Sequence, residues 1–147
     1  VFTMEQCLYA IMVASANDIA LQVAEHVGDS VDAFVQIMNT RAQELGCTNT
    51  VFTNPTGLPD ENQHITAHDM ALIMEAAMAN DTFRTIAATT SYTLPATNVS
   101  GGERVLTNNF TMINSTSDGY YKPVSAVRKG TQKLPEVPWY VKLPKIT

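Results

Sequence analysis

Two stretches of apolar residues at helical spacing meet at residues 15–18 (SAND), and this junction constrains the fold more than any other feature of the sequence. Their apolar positions predict two consecutive helices joined by a very short turn: Met4, Leu8, Ile11 and Met12 before it, then Ile19, Ala20, Val23 and Val27. In an extended turn, residues two apart point the same way, so Ser15 and Asn17 are predicted to face one cleft. A structural alternative is a capping box of Ser15 with Asp18.

Capping residues and apolar periodicity predict three further helices. Thr3 is expected to cap the first helix, Ser30 a third helix that ends near Gly46, and Thr66, paired with Asp69, a fourth. A short fifth helix is expected over residues 82–88. The third helix carries an apolar stripe that is expected to be buried: Val31, Phe34, Val35, Met38, Ala42 and Leu45.

Turn residues and short alternating segments dominate the remainder. Residues 54–57 (NPTG) predict a tight turn. After Ser91, short strands are expected at residues 92–94 and 104–106, with a turn over residues 98–102. The order predicts a helical layer followed by pieces of a sheet.

Length and composition bound the function. The 147 residues fit one domain or a large piece of one, and the net charge of −5 argues against a nucleic-acid partner. No apolar run reaches the ~18 residues that would span a bilayer. Without a signal peptide or an initiator methionine, the sequence is expected to be an excised fragment or a mature product. Cys7 and Cys47 are expected to be buried free thiols, with a single disulfide as the alternative.

Metal and phosphate motifs are not matched. His64 and His68 are four residues apart, but no glutamate stands beside His64 as in H-E-x-x-H, so no metal site is expected. Residues 129–131 (KGT) combine a cation, a glycine and a hydroxyl, which on an edge strand could hold a substrate carboxylate. A solvated loop is the alternative for this tripeptide.

These pieces together resemble the serine D-alanyl-D-alanine carboxypeptidases, the low-molecular-mass penicillin-binding proteins that share a fold with class A β-lactamases. The resemblance covers about residues 3–119. It is carried by residues 15–18 (SAND), 52–58 (FTNPTGL) and 66–71 (TAHDMA), and by 107–109 (TNN), which is similar to the asparagine segment before the family's last motif. It implies an α/β fold of the β-lactamase and DD-peptidase type, of which this chain holds mainly the helical layer. It also implies peptidoglycan pentapeptide and β-lactam antibiotics as partners, no cofactor, and a place in the bacterial cell envelope, outside the cytoplasmic membrane.

The family's three active-site motifs are S-x-x-K, S-x-N and K-T-G. By resemblance Ser15 relays protons, and Asn17 steadies the base lysine and the substrate backbone. At the third motif, Arg128 stands for the lysine and Lys129 for the threonine, with Gly130 and Thr131 completing the candidate substrate-binding set.

The first motif, S-x-x-K, does not occur in the chain. The nearest match is residues 125–128 (SAVR), and an arginine stays protonated and cannot act as the base. The nucleophile is therefore expected to precede Val1, and this polypeptide alone is expected to be inactive. A β-lactamase-like hydrolase and a non-catalytic helical binding module remain alternatives.

The chain is expected to divide into a partial catalytic domain over residues 1–131 and an atypical tail over residues 132–147. The tail carries prolines at 135, 138 and 144, where the family has a core strand. Reading it one frame over permits a sequence similar to that strand, so a one-base deletion near Thr131 is one hypothesis and a disordered tail is the other. An incomplete sheet would leave apolar helix faces open, so a homodimer is also expected.

Overall fold

The computed structural model describes residues 1–97 and 100–118, together with the backbone of two strands over 124–129 and 138–142. Its helices have the following bounds: α1 Met4–Ala14, α2 Asn17–Gly28, α3 Val31–Glu44, α4 Ala67–Met78, α5 Asp81–Ala87 and a short 3-10 helix Thr111–Ile113. Its strands are β1 Ser91–Leu94, β2 Arg104–Thr107, β3 Val124–Lys129 and β4 Pro138–Lys142.

Local capping explains where four of the helices begin. The Thr3 hydroxyl accepts a hydrogen bond from the N–H of Gln6, whose side chain returns one to the Thr3 N–H, which completes a capping box. Ser30, Thr66 and Asn80 cap α3, α4 and α5 more simply, because each side chain accepts a hydrogen bond from the N–H three residues later. The predicted caps at Thr3, Ser30 and Thr66 are therefore confirmed, whereas α2 begins after Ala16 without a side-chain cap.

Helix α1 lies at the centre of the described part and packs against α2, α5, β1 and β2. Its Met12 contacts a small core of Met78 and Ala87, which Met74 and Phe83 also flank. On its other side Tyr9 stacks on Tyr92 of β1, with ring centroids 3.9 Å apart. The stripe predicted to be buried on α3 is only half-buried except at Ala42.

Strands β1 and β2 form an antiparallel pair in which Tyr92 lies opposite Leu106 and Leu94 opposite Arg104. This confirms the two predicted strands. Strand β3 pairs antiparallel with β4, so a strand does form within the tail. Pro138 is the first residue of β4, one of the few strand positions at which a proline is tolerated.

The cysteines and the helix lengths bear on two further expectations. Both thiols are free; Cys47 is buried and Cys7 is half-buried, so the disulfide alternative is wrong. Burial raises the pKa of the Cys47 thiol, and the negative charge of Asp69 adds to the effect.

Within the described ranges, no helix is long and apolar enough to cross a lipid bilayer.

Candidate functional site

The turn between α1 and α2 presents Ser15 and Asn17. Ser15 adopts the left-handed conformation, with φ 54° and ψ 42°, and Ala16 is extended, with φ −70° and ψ 98°. The backbone N–H groups of both residues donate to the Ala10 carbonyl, the second at 3.3 Å. The prediction of an extended turn is therefore wrong at Ser15: the two helices are joined by a tight left-handed turn.

Both candidate side chains are exposed at this turn. Asn17 is the first residue of α2, and its carboxamide makes no hydrogen bond with the described part of the chain. The alternative of a capping box is wrong, because Ala16 is the N-cap residue of α2 and Ser15 instead ends α1. The structure thus brings a hydroxyl and a carboxamide together at one solvent-facing turn.

The backbone of Ser15 is in a conformation that disfavours any residue with a Cβ. The left-handed region costs a non-glycine residue roughly 1–2 kcal/mol. In the described part of the chain Asp29 is the other non-glycine residue at positive φ, and the remaining two are Gly46 and Gly57. Strain of this kind is found at sites where a specific side chain is needed.

The predicted turn over residues 54–57 is confirmed, and the side chain of Asn54 organises it. Its Oδ1 accepts hydrogen bonds from the N–H of Gly57 at 2.8 Å and from the hydroxyl of Thr56 at 2.9 Å. Its Nδ2 donates to the Leu58 carbonyl at 3.0 Å. Gly57 has φ 76°, which glycine adopts without strain. The asparagine here holds the loop together.

The loop that contains this turn is tied to α3. The Nδ2 atom of Asn39 donates to the Phe52 carbonyl and its Oδ1 accepts from the Phe52 N–H, each at 2.8 Å. The side-chain amide of Asn39 thus makes with Phe52 the two hydrogen bonds that the backbone of a neighbouring strand would make. The next pairing is a true backbone bridge between Val51 and His64.

Asp69 on α4 is a buried polar centre that the sequence did not reveal beyond its place in the Thr66 cap. It is 1% exposed, and its Oδ2 accepts hydrogen bonds from the Asn49 N–H and the Thr50 hydroxyl, each at 2.8 Å. The hydrogen bond from Thr50 lowers the pKa of Asp69 below its ordinary value, whereas burial opposes this shift. The carboxylate thereby holds the chain after α3 against α4.

The two histidines considered for a metal site are exposed. His64 precedes α4 and lies in the bridge with Val51, whereas His68 is on α4 with its Nδ1 3.4 Å from Asp69. Among the residues that the structure describes, no group of three His, Cys, Asp or Glu side chains could hold a metal ion.

The candidate substrate-binding residues are placed only in part. Arg128 and Lys129 belong to β3, where their Cα partners in β4 are Trp139 and Pro138. Gly130 and Thr131 lie outside the described residues. The structure therefore places half of the predicted set on a paired strand.

A model of the D-alanyl-D-alanine carboxypeptidase family matches residues 1–122. This chain belongs to that family. The match includes the Ser15–Asn17 turn, the Asn54 loop and Asp69. It confirms the resemblance drawn from the sequence, with the α/β penicillin-binding-protein fold that it implied.

Proteins of similar sequence are also named as D-alanyl-D-alanine carboxypeptidases. A D-alanyl-D-alanine carboxypeptidase of Mycobacterium tuberculosis, DacB2, is 38% identical over 109 residues, covering 73% of this chain and 36% of that protein. The carboxypeptidase DacF of Bacillus subtilis is 44% identical over 71 residues, covering 48% of this chain and 18% of the relative.

Solved structures of two such peptidases are also similar to this chain. A Streptomyces DD-transpeptidase is similar with a TM-score of 0.79 and 30% identity, over 94% of this chain and 53% of that one. A D-alanyl-D-alanine carboxypeptidase of Mycobacterium tuberculosis is similar with a TM-score of 0.76 and 31% identity, over 90% and 47%. This family member thus spans about half of those structures and less of the curated relatives.

Proposed function

We propose that a protein carrying this chain together with an S-x-x-K segment is a serine D-alanyl-D-alanine carboxypeptidase. Its substrate would be a peptidoglycan pentapeptide that ends in D-Ala-D-Ala. In the reaction a serine oxygen attacks the carbonyl carbon of the penultimate D-alanine, and the terminal D-alanine leaves with a proton. Water then hydrolyses the ester and regenerates the serine. The family membership of residues 1–122 supports this reaction class.

The observation that carries the proposal is the strained turn at Ser15. A serine is kept in a left-handed conformation at an exposed helix junction, two residues before an exposed asparagine. A glycine would satisfy the backbone better, and a catalytic role of the hydroxyl is a reason for serine at this position. This is the pair expected of an S-x-N motif.

Each residue has a distinct role in the proposed reaction. The Ser15 hydroxyl relays the proton between the base and the departing amine. The Asn17 carboxamide donates to the substrate backbone and accepts from the base lysine. The cationic residues Arg128 and Lys129, followed by Gly130 and Thr131, would hold the terminal carboxylate of the substrate. β-Lactam antibiotics would acylate the same nucleophile.

The nucleophile itself must come from residues outside this sequence, because the 147 residues contain no S-x-x-K. We expect the 147-residue polypeptide alone to remain unlabelled by a fluorescent penicillin on a denaturing gel. A labelled band from this polypeptide would show that the assignment of the nucleophile is wrong.

The decisive experiment uses a longer product of the same gene that includes an S-x-x-K motif. Ser15→Ala and Asn17→Ala are each expected to slow acylation by penicillin and release of D-alanine by about 10²–10⁴-fold. Ser30→Ala is the matched control, because Ser30 is also an exposed serine beside a helix but only caps α3. Equal rates for Ser15→Ala and Ser30→Ala would refute the proposed role of the turn.

The cellular place and the assembly state follow from the same proposal. The substrate lies outside the cytoplasmic membrane, so the enzyme would act in the bacterial cell envelope. For the 147-residue polypeptide we further propose a homodimer that covers half-buried apolar faces such as that of α3. Light scattering at high concentration tests this, and a monomeric mass would contradict it.

A further inference from the structure

A groove lies between the first half of α1 and most of the length of α5. Its volume is about 410 Å³, within the ~300–1,000 Å³ that is usual for ligand sites. The lining residue of α1 nearest to the Ser15 turn is Tyr9, six positions earlier, which is roughly 9 Å along an α-helix, and neither Ser15 nor Asn17 lines the groove. The groove therefore differs from the proposed catalytic turn.

The floor of the groove is apolar and rigid. It is lined by Leu8, Tyr9 and Ile86, of which Ile86 is only 4% exposed. The ring of Tyr9 is held by its stacking on Tyr92, with an angle of 4° between the ring planes. An aliphatic stem lying on this floor would exchange water for apolar contact at little cost in side-chain ordering.

The rim of the groove carries two carboxylates, of which one has an ion-pair partner in the described part of the chain. Asp81 lines the groove but forms an ion pair with Arg84, one turn further along α5. Glu5 also lines it and is exposed, and its carboxylate makes no ion pair with the residues that the structure describes. One free carboxylate above an apolar and aromatic floor is complementary to one ammonium group on an unbranched aliphatic stem.

We propose that this groove binds a lysine side chain of a partner peptide. The four-carbon stem lies over Leu8 and Ile86, and the ammonium group pairs with Glu5 beside the ring of Tyr9. Neither Ser15 nor Asn17 takes part, so the site is independent of the proposed catalytic function.

The test is an NMR titration of the ¹⁵N-labelled 147-residue chain with N-acetyl-lysine-N-methylamide. The neutral comparison is N-acetyl-norleucine-N-methylamide, which keeps the stem and lacks the ammonium group. The lysine probe is expected to shift the amide signals of Leu8, Tyr9 and Ile86 at lower concentration than the norleucine probe. Because the ion pair is exposed, 0.5 M salt is expected to weaken lysine binding.

A pair of variants separates the ion pair from general acidity. Glu5→Gln is expected to weaken lysine binding about two- to fivefold, as is typical of a surface ion pair, and to leave norleucine binding unchanged. Glu25→Gln, which removes an exposed carboxylate on α2 outside the groove, is expected to leave both unchanged. Equal binding of the two probes, equal effects of the two variants, or shifts outside the groove would overturn the proposal.

Discussion

Because the backbone of Ser15 is left-handed, replacing this residue is predicted to change stability and activity in opposite directions. Replacing Ser15 by glycine removes a strain of roughly 1–2 kcal/mol, because glycine has no Cβ to meet the neighbouring carbonyl. Glycine also loses more backbone freedom on folding, which costs about 0.5–1 kcal/mol. Relative to Ser15→Ala, which also lacks the hydroxyl, Ser15→Gly should therefore be more stable by about 0–1.5 kcal/mol, while it removes the proposed proton relay.

Ser15→Ala separates the backbone from the hydroxyl. Alanine keeps the Cβ and hence the strain, so this variant measures only the loss of the hydroxyl and its contacts. The difference in unfolding free energy between Ser15→Gly and Ser15→Ala then gives the strain minus the entropic cost of glycine. Urea denaturation of both variants measures this difference. In thermal unfolding, each 1 kcal/mol should shift the midpoint temperature by about 2–4 °C.

Asp29 supplies the matched control, since it ends α2 with φ 62° and ψ −13°. Aspartate tolerates the left-handed region better than serine, so Asp29→Gly should stabilise the chain by a smaller amount and leave acylation unaffected. A Ser15→Gly variant that is less stable than Ser15→Ala would refute the strain at this turn. Full acylation activity of Ser15→Gly in the longer gene product would refute the need for its hydroxyl.

Three further predictions concern the scaffold. Gly28→Ala should destabilise the chain by about 1–3 kcal/mol in urea denaturation, because the added Cβ would lie 2.7–2.8 Å from backbone and Cβ atoms of Phe34; helix propensity alone predicts the opposite sign. The pKa of Asp69 is lower in the folded chain than in the unfolded chain. Its ionised side chain therefore contributes fully to folding stability above the unfolded pKa of about 3.9, and this contribution is lost as pH falls through the lower pKa of the folded state. Asp69→Asn should therefore flatten the loss of thermal stability measured between pH 5 and pH 2, and an unchanged slope would contradict this. A maleimide at neutral pH should modify Cys7 before Cys47 by mass spectrometry, since Cys47 is buried and its pKa is raised; faster modification of Cys47 would contradict it.

Helix boundaries could be predicted because their causes are local in the sequence. The hydroxyls of Thr3, Ser30 and Thr66 each accept a hydrogen bond from the N–H three residues later. Both partners of each cap are therefore close together in the sequence. Burial could not be predicted in the same way. The apolar residues of α3 have helical spacing, but their burial depends on which other elements of the fold pack against them.

The same distinction applies to the site. Ser15 and Asn17 could be recognised from a motif, but the left-handed backbone could not, because serine ordinarily avoids it. The structural role of Asp69 cannot be predicted from the sequence, because its partners Asn49 and Thr50 are 20 and 19 residues away. A carboxylate three residues after a threonine indicates a helix cap, and nothing local in the sequence indicates that it is also buried.

Backbone hydrogen bonds within its own neighbourhood support the S-x-N turn, and this has a consequence for the division of the active site. The N–H groups of Ser15 and Ala16 both donate to the Ala10 carbonyl, so contacts within seven residues fix the turn. The candidate residues Arg128 and Lys129, by contrast, lie on a strand whose pairing depends on a segment about ten residues further along the chain. A chain of this extent should therefore retain the geometry of the Ser15–Asn17 turn without the nucleophile. A longer gene product should show the same protection of the Ser15 and Ala16 amides against hydrogen exchange, and a marked difference would mean that the nucleophile segment shapes the turn.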